Sequence, residues 1–274
     1  MLGYPNPTPI LAAILAAATT LGTAFPAAAE DGGPAASGSD WKVSVGLGTG
    51  YKPDYEGSDD YDIDVMPDLS VSYRDLVYFR HMELGANALT VKGPRQGDKL
   101  QLGPLVRFRP GRDQDDNKAL SGLGDVDYSI EAGAFLRYGA GPWSAGLTFV
   151  QDMADGHDGA LAEASVGYGM TVAPGLKASL TASTTWASDD YMQSFFGISA
   201  AQAASSGRAA YEAEAGIKNV GLTLGLEYEV MKDVGLGGRI GYSRLLGDAA
   251  DSPLVEGDGS ADQFSAGVSL NYRF

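Results

Sequence analysis

Two histidines, His81 and His157, are the sequence's whole supply of acid–base groups that titrate near neutrality, and there is no cysteine. His81 lies in Phe79-Arg80-His81-Met82-Glu83. A carboxylate two residues on would allow a dyad and hence a hydrolase, but a histidine packed for structural reasons is the simpler reading. His157 sits in Asp155-Gly156-His157-Asp158-Gly159 and reads as a solvated loop residue. No G-x-S-x-G elbow surrounds Ser144. Asp113-Gln114-Asp115-Asp116-Asn117-Lys118 spaces its acids like a calcium loop, yet Lys118 stands where glycine is needed and Gly124 where the closing glutamate belongs. Gly46-Leu47-Gly48-Thr49-Gly50 alternates along a strand rather than opening a helix, so it is no phosphate loop. No catalytic residue, metal site or cofactor is assigned, and a non-enzymatic protein is expected. Asp59, Asp60, Asp189 and Asp190 read as solvated loop charges, suited also to cations bridging lipopolysaccharide.

What remains is a set of ions on the polar side of alternating segments: Arg107, Arg109, Glu131, Arg137, Glu163, Lys177, Glu227, Glu229, Arg239 and Arg273. In a confined interior they would pair into a filling network, the simpler reading, or line a selective pore.

The elements that must position these ions are strands. Trp41, Val43, Val45, Leu47, Thr49 and Tyr51 alternate with Lys42, Ser44, Gly46, Gly48 and Gly50. The same period of two recurs over 62–74, 100–109, 128–138, 176–186, 222–230 and 263–274, punctuated by Gly, Pro, Asn and Asp. A soluble sandwich would show the same alternation. Three features favour lipid. Aromatics such as Trp41, Tyr51, Tyr73, Trp143, Tyr168, Trp186 and Tyr242 stand at strand ends on the apolar face, as interfacial girdles do. Gly and Ser crowd the other face. The last strand ends on Phe274, which resembles the signal read by the barrel-assembly machinery. The expected fold is therefore all-β: an antiparallel transmembrane β-barrel of about 12 strands, with 10 open. The long polar stretches, Lys52–Asp60, Gly111–Asp125, Gln151–Asp158, Asp189–Arg208 and Gly247–Asp262, would lie outside the cell. Either Leu76–Val91 divides near His81 and Tyr211–Val230 is one strand, or the first stays whole and the second divides at Lys218-Asn219.

Residues 1–29 carry no Lys, Arg, Asp or Glu, and their apolar run Ile10–Leu21 precedes Ala27-Ala28-Ala29. This reads as a signal peptide cleaved after Ala29, too short to span a bilayer. Residues 30–40 read as a flexible leader and 41–274 as the barrel. The formal charge of −16 argues against nucleic acid.

Four stretches stand out: Tyr51-Lys52-Pro53-Asp54-Tyr55-Glu56-Gly57-Ser58, Gly111-Arg112-Asp113 with Leu120-Ser121-Gly122-Leu123-Gly124-Asp125, Trp186–Tyr211, and Tyr242–Val255 with the terminal Tyr272-Arg273-Phe274. They resemble segments of the MltA-interacting protein (MipA/OmpV) family of outer-membrane proteins. The resemblance implies an outer-membrane barrel exported through a signal peptide, in contact with lipid and lipopolysaccharide, and carries no catalytic residues. It also implies a scaffold linking a murein transglycosylase to a peptidoglycan synthase. A narrow pore for ions or small solutes is the alternative function, and an outer-membrane hydrolase around His81 the second alternative.

Overall fold

The computed structural model describes residues 40–274. The expected signal peptide, and the leader as far as residue 39, lie outside them. Strand β1 (Trp41–Pro53) turns through 54–60 and returns as β2 (Tyr61–Tyr73), in register from Trp41 opposite Tyr73 to Pro53 opposite Tyr61. There follow β3 (Val77–Arg80), β4 (Glu83–Ala86), β5 (Leu89–Lys92), β6 (Lys99–Arg109), β7 (Ser129–Ala140), β8 (Trp143–Asp152), β9 (Ala160–Ala173), β10 (Leu176–Ala187), β11 (Gly216–Met231), β12 (Val234–Leu245) and β13 (Asp262–Arg273). Neighbours are antiparallel throughout, and β13 pairs back onto β1 from Arg273 opposite Ser44 to Ala266 opposite Tyr51. β4 and β5 are two halves of one course against β6. The segments therefore make a closed antiparallel barrel of twelve strands.

Of the two ways to reach twelve, the first holds. His81-Met82, at φ +47° and +60°, is a two-residue turn that divides Leu76–Val91, and β11 is a single strand. That strand begins at Gly216 rather than Tyr211, which instead bridges to Ile198. Apart from His81-Met82, the short turns occupy one end of the barrel. Gly141 (φ +55°) and Gly175 (φ +74°) hold two of them in the left-handed conformation that a side chain resists. The five long connections crowd the other end.

The alternation now has a physical meaning. Apolar side chains such as Leu47, Ile240 and Val268 point outward and remain 59%, 62% and 57% exposed. A second protein layer would have buried them; an acyl-chain belt is the neighbour they fit. Rings pair at both borders of that belt: Trp41–Tyr73 and Trp143–Tyr168 near the short turns, Tyr51–Tyr61 and Tyr242–Phe264 near the long loops.

Candidate functional site: a capped lumen

The long loops fold inward and interlock. The 188–215 loop carries helix α1 (Asp189–Phe196) and helix α2 (Ala200–Ser206), and the 246–261 loop carries α3 (Pro253–Asp258). Ser188 precedes α1, and Asp189 and Asp190 meet the positive end of its dipole. Ser199 and Gln202 form a capping box on α2, which stops at left-handed Gly207. Asp189–Arg208, expected as a plain polar loop, is thus mostly helical, and Tyr191, Met192 and Phe196 of α1 are fully buried. The Ser252 hydroxyl donates to the Phe196 carbonyl at 2.6 Å, and Arg112 donates to the Phe195 carbonyl at 2.7 Å. Ser58 bridges Gly259, while the Tyr55 hydroxyl donates to the Asp258 carbonyl. Asn117 donates to Asp54, and the His157 ring packs edge-on against Tyr191. All five long loops thus contribute to one cap.

His157 is a correction to the sequence reading. It is 1% exposed, not solvated. The Asp152 carboxylate accepts the N–H groups of Ala154, Gly156, His157 and Asp158, which curls the loop and turns the ring inward. Its Nε2 lies 3.1 Å from Glu131, and its Nδ1 accepts the Gly159 N–H.

Beneath the cap lies an ion network. Glu131, fully buried, accepts Arg107 at 2.7 Å and Arg109 at 2.6 Å, and Arg107 also reaches Glu163 at 3.0 Å. Glu56, from the 54–60 loop, accepts Lys218 at 2.8 Å and the Tyr191 hydroxyl at 3.2 Å. Burial alone would raise the Glu56 pKa, but Lys218 and Arg109 outweigh it and hold the carboxyl below the ordinary range. Burial and the Glu56 charge push the Tyr191 hydroxyl up to about 12. Three acids and three bases sit here, an arrangement that suits a confined interior.

Below this layer a cavity of about 1560 Å³ extends to the short turns. Arg137 sits on the β6–β9 side, its guanidinium 3.9 Å from the Phe135 ring centroid and donating to Glu83 and the Tyr78 hydroxyl. The opposite wall is glycine, serine and threonine, among them Gly48, Ser183, Thr223 and Gly241. A Cβ on Gly46 would meet the Leu270 carbonyl at 2.6 Å, so this wall is as close as glycine permits. Lys177, Glu227, Glu229, Arg239 and Arg273 border the cavity lower down, apart from the buried network. His81 also borders it, and the neighbouring Glu83 carboxylate is engaged by Tyr78 and Arg137. Sequence reading missed Glu56, Lys218 and Tyr191. No period marks the Glu56 loop, and Tyr191 stands in a stretch read as polar.

Comparison adds the family. No curated protein matches the sequence. Outer-membrane OmpT of Vibrio cholerae is 9% identical, covering 86% of this chain and 97% of its own, at a TM-score of 0.40. An outer-membrane channel of Pseudomonas putida F1 is 12% identical over 89% and 99%, at 0.43. A NanC porin is 11% identical over 83% and 98%, at 0.44. These likenesses concern barrel architecture alone. A family model, MltA-interacting protein MipA, matches residues 45–274. Family and barrel together place the protein in the outer membrane, where bacterial barrels as a rule keep their longer loops outside and their short turns toward the periplasm. Matched from Val45 within β1 to the last residue, Phe274, the chain belongs to the MltA-interacting protein MipA family.

Proposed function

We propose that the protein is a non-enzymatic barrel whose periplasmic face holds peptidoglycan-remodelling enzymes, a murein transglycosylase foremost. One observation carries this reading: the outer mouth is packed shut by five interlocked loops, while the cavity extends to the periplasmic turns. A barrel so built has its accessible interior and rim on the side where murein lies. The family's printed name, MltA-interacting protein, supports the transglycosylase as partner. Lipid, lipopolysaccharide and an assembly machinery reading Phe274 belong to the same proposal.

The test uses the full chain in lipid nanodiscs against a purified murein transglycosylase by interferometry. Saturable binding is expected, retained when the cap is altered and lost when the periplasmic turn 93–98 is replaced by Gly-Ser. Absence of binding to the intact protein would remove the scaffold. The pore reading is favoured by the size of the cavity and its charged border, and requires the cap to swing away. A hydrolase around His81 is the weakest reading, because Glu83 already serves Tyr78 and Arg137.

A further inference from the structure

The barrel wall is uneven in height. β2 runs from Tyr61 to Tyr73, but β3 pairs only with Ser70–Tyr73. On the other flank β4 pairs with Leu105–Arg107 of β6, and the Phe108 N–H donates to the Met82 carbonyl at 3.1 Å. Hairpin β3–β4 therefore turns at His81-Met82, well short of the outer rim. Above that turn, among the described residues, Tyr61–Leu69 have a strand partner on the β1 side only. On β2 the rings of Tyr51 and Tyr61 mark the outer border of the membrane, so the edge from Ile63 to Leu69 lies below it, beside acyl chains, while on the opposite bank Phe108, level with the turn, and Tyr128 stand at that border.

Backbone direction makes the notch chemically informative. The Val43 carbonyl accepts the Phe274 N–H, so odd-numbered β1 residues turn their backbone groups toward β13. Their partners Ile63, Val65, Pro67 and Leu69 must then turn theirs away from β1, into the notch. Acyl chains cannot satisfy such groups, and each left unpaired costs several kcal/mol, so open edges occur at membrane depth only beside water or protein. An added strand is a poor occupant. Pro67 offers no N–H, and Asp64 and Asp68 face inward on the same stretch, both being devices that blunt an edge. Water from the lumen is the better one. The large cavity reaches both banks of the notch, bordered by Met66, Pro67 and Asp68 of β2, Met82 at the turn, Phe108 of β6 and Pro110 just beyond its end.

The cavity thus lies directly behind the notch while its outer mouth is capped. The lips of the notch are apolar on the membrane side, with Ile63 72% and Val65 60% exposed, and carboxylate-bearing on the lumen side. We propose that this window between β2 and β6 admits a long-chain amphiphile, its polar head in the wet lumen and its chain passing Ile63, Val65 and Phe108 into the leaflet. This goes beyond the scaffold reading and does not depend on it.

The chain contains no cysteine, which makes thiol mapping clean. Full-length Val65→Cys and, as a second edge position, Ile63→Cys are compared in lipid vesicles with Leu270→Cys, which faces lipid in the closed wall. A water-soluble maleimide should modify the two edge positions at least ten times faster than Leu270→Cys. A long-chain maleimide dissolved in the bilayer should then reach Met66→Cys, on the lumen side of the window, well before Ser183→Cys across the lumen. Edge cysteines as protected as Leu270→Cys, disulfide-linked dimers through them, or equal modification of Met66→Cys and Ser183→Cys would each overturn the proposal.

Discussion

Glu131 shows how much the interior asks of one side chain. It is fully buried and accepts Arg107, Arg109 and the His157 ring, so removing its charge strands the Arg109 guanidinium and leaves Arg107 with Glu163 alone in a confined space. Breaking a buried pair in this way costs about 3–5 kcal/mol. Glu131→Gln should therefore lower the urea midpoint of the vesicle-inserted protein markedly, and Glu163→Gln, at a side chain 24% exposed, much less. Equal effects would mean that the network is not the anchor of the cap. Titration gives a second expectation. Tyr55, Tyr191 and Tyr211, all in the outer loops, are raised to about 12, chiefly by burial. The folded chain keeps these protons where the unfolded chain loses them, so cap stability is full below pH ~10 and falls between about 10 and 12. Near-ultraviolet dichroism should fade across that window while the far-ultraviolet strand signal persists. Glu56 works in the opposite sense. Its depressed pKa contributes stability above the ordinary carboxylate range that is lost as the pH falls through it.

At the scale of the element, the break between β4 and β5 is prepared on β6. The Phe108 N–H points to β4, so even-numbered β6 residues face that side, and Pro104, which has no N–H, falls where no pairing exists. Next to it, a Cβ on Gly103 would lie 1.6 Å from the Ala86 carbonyl oxygen, a backbone atom that cannot yield without moving the strand. Gly103→Val should abolish the folded, heat-modifiable band on gels, whereas Pro104→Ala should leave it intact. A folded Gly103→Val protein would show that β4 and β6 do not approach as described. Neither residue announces its role in the sequence. Pro104 there merely interrupts an alternating run, because its meaning depends on which neighbour lies on which side.

For the whole molecule, the decisive property is the closed outer mouth. Phe196 sits unexposed at the centre of the cap, with its carbonyl held by Ser252. A carboxylate at that depth costs several kcal/mol without a partner. Phe196→Asp should therefore release the cap and produce discrete steps in planar-bilayer recordings, where the unaltered protein is expected to be silent. Steps from the unaltered protein would favour the pore reading; silence from both would place a block deeper in the barrel.

Strands, their faces and their aromatic borders are legible in the residues alone. Alternation is a local property, and the face a side chain takes follows from its position parity alone. The sequence also carried the family's motifs, and it offered a turn near His81, where neither face stays clean, as one of two routes to twelve strands. The tertiary structure alone decided what the loops do. His157 looked solvated and proved buried, and Glu56, Lys218 and Tyr191 meet from three distant parts of the chain. Nor does any local pattern set the height of the β3–β4 hairpin against β2 and β6. Such contacts arise only when the ring closes and brings loop and strand ends together, since hydrogen bonds and ion pairs across hundreds of residues leave no period behind them.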